Sequence, residues 1–223
     1  MKVIVTGATG MVGKGVLLEC LEDSAVTEVV SISRRTLGLE HAKLKEILHS
    51  DFSNFEAIKD QLSEFDAAFL CMGVSAAGMD EAEYSKLTYD FTMSLANTLY
   101  EMSPNLTLTY TSGQGTDSTE KGKTMWARVK GKLENDLLAL GFKGAYMFRP
   151  GVIIPLRGIR SRTKLYQFFY DYLLWLIKLM KLVFPNSIVN TTQLGISMIQ
   201  VAKEGYAQNI LDPIDILISA NHA

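Results

Sequence analysis

Three glycines at spacings of three, Gly7, Gly10 and Gly13, stand between a β-branched run and an amphipathic one, and they constrain this chain more than any other feature. Lys2 to Val5 reads as a strand. Met11 to Leu21 carries apolar residues at Met11, Val12, Val16, Leu17 and Leu21, close to helical spacing. Between them runs Thr6-Gly7-Ala8-Thr9-Gly10-Met11-Val12-Gly13. In a strand–turn–helix of this kind the first glycine permits a tight turn and the next lets backbone N–H groups approach a pyrophosphate. The last lets helix and strand pack closely, and the helix N-terminus adds partial positive charge. Gly7, Ala8, Thr9, Gly10, Met11, Val12 and Gly13 are therefore the first candidate cofactor-binding residues, for a dinucleotide.

The rest of the chain repeats the alternation. Thr27 to Ser33, Glu46 to Leu48, Phe65 to Met72, Leu106 to Thr111 and Ala145 to Phe148 read as strands. The run Ala67-Ala68-Phe69-Leu70-Cys71 is apolar on both faces, as a strand inside a parallel sheet must be. Helices are expected from about Asp80 to Glu101, stopped by Ser103-Pro104, from Lys121 to Leu140, ending at Gly141, and from Leu194 to Lys203. Right-handed crossovers turn this βαβ succession into an α/β fold, a Rossmann-type doubly wound parallel sheet with its ligand crevice at the carboxyl ends of the strands. Residues 1–150 read as the nucleotide-binding core and 151–223 as a small, mostly helical C-terminal cap packed on it, one structural domain overall.

Composition excludes several classes. With 22 Lys+Arg against 24 Asp+Glu and a net charge of -2, the chain has no broad footprint for a phosphate backbone, so nucleic acid is not an expected partner. Cys20 and Cys71 sit in no CxxC or Cys/His pattern, and His41, His49 and His222 lack ligand spacing, so no metal is expected. The N-terminus passes straight into a strand without a charged n-region and apolar h-region, which leads to a cytoplasmic expectation.

The second strand ends in Ser33-Arg34-Arg35, where an NAD binder typically carries an acidic residue for the ribose hydroxyls. Two guanidiniums and a hydroxyl suit a 2′-phosphate, so NADP (NADPH) is expected over NAD. Asp51 and Phe52 follow the third strand and are placed at the adenine, although Asp51 reads equally as a helix N-cap. Cys71, Met72 and Gly73 are placed beneath the adenosine ribose.

With this glycine turn, Thr111-Ser112 after the fifth strand, Lys130, and Arg149-Pro150-Gly151-Val152 after the sixth, the chain resembles the atypical short-chain dehydrogenase/reductases. It is most similar to the compact NAD-dependent epimerase/dehydratase-like branch typified by the Tat-interacting-protein oxidoreductases. The resemblance implies NAD(P) binding, with Thr111, Lys130, Pro150, Gly151 and Val152 at the nicotinamide end. It also implies a catalytic Ser, Tyr and Lys, the last two in a Tyr-x-x-x-Lys pattern. Ser112 and Lys130 match, and the Tyr position is Trp126. Residues four apart share a helix face, so a Lys there lowers the Tyr pKa while Tyr exchanges a proton with the substrate. An indole N–H donates a hydrogen bond and does not return a proton. Three readings stay open: the chain binds NADP without reductase chemistry; another acid substitutes, with Tyr110, Tyr84, Asp117 or Ser112 through water as candidates; or the motif lies a turn away from this placement.

The implied function is an NADP(H)-binding oxidoreductase or nucleotide-sugar-epimerase-like enzyme acting on an unidentified small molecule, as a monomer or homodimer. The alternative is a non-catalytic NADPH-sensing or scaffold protein whose cofactor occupancy controls a protein interaction. Leu165 to Phe184 is strongly apolar and aromatic. Asp171, Lys178 and Lys181 disfavour a membrane span there, each costing about 2.5–3.5 kcal/mol near a bilayer centre. A crevice cap, a dimer face and a membrane-surface helix remain as its readings, the membrane surface being the least favoured.

Overall fold

The computed structural model describes residues 1–159 and 187–221. Strand β1 (Lys2–Thr6) passes through the glycine turn into α1 (Met11–Glu22), and β2 (Glu28–Ser33) and β3 (Leu44–Leu48) follow. After a 3-10 turn at Glu56–Leu62 the chain crosses to β4 (Ala67–Leu70). Helix α2 (Glu81–Ser85) runs through a π turn (Lys86–Asp90) into α3 (Phe91–Met102). Strand β5 (Thr107–Thr111), α4 (Met125–Ala139) and β6 (Gly144–Phe148) complete the succession expected from the sequence.

These strands lie in the order β3-β2-β1-β4-β5-β6, every neighbouring pair parallel. The order reverses at β1, between β2 and β4, and this is where a doubly wound sheet opens its crevice. Strand periodicity divides the core in two. Val3, Val5, Val29 and Phe69 pack with Val16, Leu17 and Cys20 of α1 on one face of the sheet. Ile4, Ile32, Leu70 and Leu108 pack with Leu95 and Leu99 of α3 and Leu133 and Leu137 of α4 on the other.

The later residues contribute to the same core. Val152–Ile154 (β7) pairs in parallel with Ile188–Asn190 (β8) as a separate two-stranded sheet. Asn190 and Gln193 then form a reciprocal capping box that opens α5 (Thr191–Glu204). Glycines let α5 approach α1. A Cβ on Gly15 would stand 2.6 Å from Thr191 Cβ, and one on Gly195 would stand 2.6 Å from Glu19 Cγ. Ile210–Leu211 (β9) adds a seventh parallel strand beside β6, and α6 (Pro213–Asn221) follows. Strands of two or three residues are too short to carry a period-2 signal, so β7, β8 and β9 leave no trace in the sequence pattern.

Two further differences have local causes. Helix α4 begins at Met125 rather than Lys121, because the Asp117 carboxylate accepts from Thr119 N–H (3.0 Å) and Gly122 N–H (2.6 Å) and winds that stretch into a turn. The π turn at Lys86–Asp90 interrupts what periodicity shows as one helix. The apolar stretch from Leu165 to Phe184 lies outside the described residues.

Candidate functional site

The glycine turn is built by backbone crowding. Gly7 has φ +70, and a Cβ there would overlap the Cys71 carbonyl, whose carbon lies 2.6 Å away. A Cβ on Gly13 would overlap Gly7, with Ala8 N at 2.8 Å. Gly10 donates its N–H to Gly7 O (2.8 Å) and caps α1 without any side-chain bond. The first-turn N–H groups of α1 thus have no side-chain cap, the arrangement that suits an anion.

A cavity of about 210 Å³ opens beside this turn and brings together Gly7, Thr9, Gly10, Ser33, Arg34, Arg35, Phe52, Cys71, Met72 and Gly73. All are residues singled out from the sequence. Among the described residues no Asp or Glu lines it. Ser33 Oγ donates to the Arg35 carbonyl at 2.6 Å, which turns the chain at the end of β2 and leaves both guanidiniums exposed and without a partner among the described residues. Phe52 is held from behind. Its ring meets Phe55 edge-on at 5.4 Å, and the His49 ring donates from Nε2 to the carbonyls of Asp51 (2.6 Å) and Asn54 (2.8 Å).

Asp51 is placed differently from the sequence expectation. It does not line the cavity, and its carboxylate accepts from Ser53 N–H (3.0 Å) and Ser53 Oγ (2.5 Å), bonds that keep it below its ordinary range. Ile32, Val74, Leu87 and Phe91 line the cavity unannounced. Leu87 and Phe91 lie in and just after the π turn, whose extra residue shifts the helical register there. Cys71 is half-buried in the cavity wall, and burial pushes its thiol up to about 12 against the hydrogen bond from Thr111 Oγ1.

The loops after β5 and β6 form a second cavity of about 400 Å³, lined by Gly113, Gln114, Pro150, Gly151, Val152, Ser187 and Ile188. Ser112 N–H donates to Phe148 O (2.8 Å) and Gln114 N–H to Pro150 O (2.9 Å), so the two loops continue the ladder of their strands. The Ser112 hydroxyl points away from this cavity. It is 7% exposed and donates inward to Glu134 Oε1 (2.5 Å) and Phe148 O (3.1 Å). Lys130 donates to the Ser112 carbonyl. Burial brings its ammonium down to about 8, opposed by the charge of Glu134. Trp126, four residues earlier on the same face, lies over Gly115, where an added Cβ would stand 3.5 Å from Cη2.

The other acids weighed from the sequence are enclosed or engaged. Tyr110 is 1% exposed with its hydroxyl unpaired among the described residues, and burial holds it well above the ordinary phenol value. Tyr84 is enclosed beside it. The Asp117 carboxylate is held low by Thr119 and Gly122. At the other end the residues fit a dinucleotide: a cradle that a Cβ would fill, an uncapped helix start, and free cations at the ribose position.

Among curated relatives, the mitochondrial protein fmp52 of Emericella nidulans is 31% identical over 158 residues, covering 68% of this chain and 66% of that protein. This chain thus spans just under two thirds of that relative. FMP52 of Saccharomyces cerevisiae, also named mitochondrial, is 29% identical over 168 residues, covering 74% and 69%. These names overturn the cytoplasmic expectation: an N-terminus without a recognisable leader pattern does not establish that location. Among solved structures, a short-chain dehydrogenase family protein from Francisella tularensis superposes with a TM-score of 0.66 at 17% identity, over 95% of both chains. The Bordetella bronchiseptica enzyme WbmF, solved with NAD+, gives 0.68 at 12% identity over 99% of this chain and 77% of that one. The fold is therefore a Rossmann-type doubly wound parallel sheet, as the sequence led us to expect. The family profile for NAD dependent epimerase/dehydratase matches residues 3–119, which hold the glycine turn, the crevice and Ser112, and the chain belongs to that family.

Proposed function

We propose that this protein binds NADP(H) in preference to NAD(H) and acts as an oxidoreductase or nucleotide-sugar-epimerase-like enzyme on a small molecule. The observation that carries this reading is the pair of guanidiniums, Arg34 and Arg35, that among the described residues have no partner, in a crevice that no described carboxylate lines. A 2′-phosphate completes those cations, whereas an acidic side chain there would repel it. The α1 N-terminus and its glycine turn hold the pyrophosphate, Ile32 and Phe52 flank the adenine, and Lys130 serves the ribose hydroxyls. When bound, the nicotinamide supplies or accepts a hydride. Trp126 donates a hydrogen bond but no proton, so proton return is the step this chain's own residues serve least.

Calorimetric titration with NADPH and NADH tests the reading. Arg34→Ala and Arg35→Ala should each weaken NADPH by about tenfold or more, the worth of a charge-assisted hydrogen bond, and leave NADH nearly unchanged. Equal affinities in the native protein would remove the NADP preference, and no binding of either would remove the reading. A second function is favoured by one specific observation, the Ser112 hydroxyl turned inward onto Glu134. It is an NADPH sensor or scaffold whose occupancy sets a protein interaction. Turnover on a panel of carbonyls and alcohols supports the enzyme. Tight NADPH binding with no turnover and an NADPH-dependent partner affinity supports the sensor.

A further inference from the structure

Glu134 is the most enclosed charge among the described residues, with a side chain 0% exposed. Its carboxylate accepts from Ser112 Oγ at 2.5 Å, from Arg149 Nε at 3.1 Å to each oxygen, and from Arg149 Nη2. Arg149 Nη2 also donates to Ser118 Oγ. One residue of α4 thus joins the loop after β5 to the loop after β6. Lys130, one helical turn earlier, takes the carbonyl of Ser112 while Glu134 takes its hydroxyl. Arg149 leads directly into Pro150-Gly151-Val152, and Gly151 is wedged so tightly that a Cβ would overlap Ser187 O and stand 2.8 Å from Gln114 Oε1.

An ion pair this deep is weak support for stability, since desolvation offsets the attraction and an apolar pair of similar volume does as well or better. What it does supply is position. We propose that Glu134 is the positioning residue of the nicotinamide end, fixing Ser112 and Arg149 so that the two loops present a single wall to that half of the cofactor. The inference rests on the reading that the crevice takes NADP(H). It also assigns Ser112 to this wall, with its hydroxyl spent on Glu134.

Two probes separate the halves of the site: NADPH, and adenosine 2′,5′-bisphosphate, which reaches only the Arg34 and Arg35 end. In Glu134→Gln the NADPH affinity should fall by about tenfold or more, as displaced positioning groups typically cause, while bisphosphate affinity stays within about twofold. The fluorescence enhancement of the bound reduced nicotinamide should fall with it. Glu134→Gln leaves Arg149 buried and uncompensated, so the paired change Glu134→Leu with Arg149→Met, which keeps the volume without an orphan charge, carries the test if the single variant fails to fold. The paired variant should fold and show the same selective loss. Native-like NADPH affinity and fluorescence in the paired variant would overturn the proposal, as would an equal loss of both probes. Failure of the native protein to bind NADPH at all would instead overturn the cofactor reading, and the inference with it.

Discussion

The two ends of the crevice differ in how their polar groups are spent. At the end proposed for the adenine, the first-turn N–H groups of α1 lack a side-chain cap and the guanidiniums of Arg34 and Arg35 stand without partners among the described residues. At the nicotinamide end almost every polar group already has one: Ser112 with Glu134, Lys130 with the Ser112 carbonyl, Arg149 with Glu134 and Ser118. The first arrangement waits for an anion, and the second holds its own loops in place. If the crevice takes NADP(H) as proposed, affinity for the cofactor and competence at its reactive end should be separable, and each end is open to independent disruption.

The largest effects should come from glycines that close each end. Gly7→Ala places a methyl group into the Cys71 carbonyl at a φ of +70 and should cost about 2–4 kcal/mol of stability, with loss of NADPH and adenosine 2′,5′-bisphosphate binding together. Gly131→Ala drives a Cβ into Asp117, whose carbonyl carbon stands 2.5 Å away, and should destabilise by a similar amount. Its binding defect should spare the bisphosphate. Gly73→Ala, in the crevice with nothing within 4 Å of its Cβ, should stay within about 0.5 kcal/mol of native. Thermal unfolding and titration of the three variants check the contrast, and a Gly131→Ala variant that lost both probes equally would merge the two ends into one unit.

How legible each end was in the sequence follows from the range of its interactions. The adenine end is local. Strand, glycine turn and helix lie within residues 2–22, and Ser33-Arg34-Arg35 is contiguous, so spacing alone located them. Phe91 and Leu87 escaped because the π turn moves them off the register that a regular helix gives. The nicotinamide end is long-range. In sequence Glu134 is only an acid four residues after Lys130, the mark of a solvated helix pair, and its burial depends on Arg149 fifteen residues further on. Ser112 was identified by position, but where its hydroxyl points is decided by that same distant pair. The packing of α5 on α1 depends on Gly15 and Gly195, far apart in the chain, and no local pattern marks it.

A second prediction uses pH to oppose folding and binding. The Lys130 ammonium has its pKa lowered to about 8 by burial, against about 10.4 in an unfolded chain. Between these values the unfolded state binds more protons, so the contribution of Lys130 to stability rises with pH, with a slope of at most about 1.4 kcal/mol per unit. Cofactor binding should move the other way, because the charge proposed to serve the ribose is lost as pH passes 8. Denaturant midpoints and NADPH titrations from pH 7 to 10, on native protein and Lys130→Met, isolate the effect. Parallel slopes in the two proteins would show that Lys130 titrates elsewhere and does not serve the cofactor.

A smaller effect than those of Gly7 and Gly131 should come from Trp126→Tyr. It places a phenol four residues before Lys130, where the ammonium lowers its pKa and a proton can return to substrate. A positioned general acid typically contributes 10²–10⁴ in rate, yet here the Ser112 hydroxyl is turned to Glu134 and does not polarise a carbonyl, so the gain should be about tenfold. NADPH-dependent reduction of a ketone panel measures it, with NADPH affinity expected to stay native. A much larger gain would mean that Ser112 swings outward once the cofactor is bound, and the nicotinamide end would then be closed only in its empty state. No gain would place the missing chemistry somewhere other than Trp126. With cofactor binding intact, that outcome would favour the sensor over the enzyme.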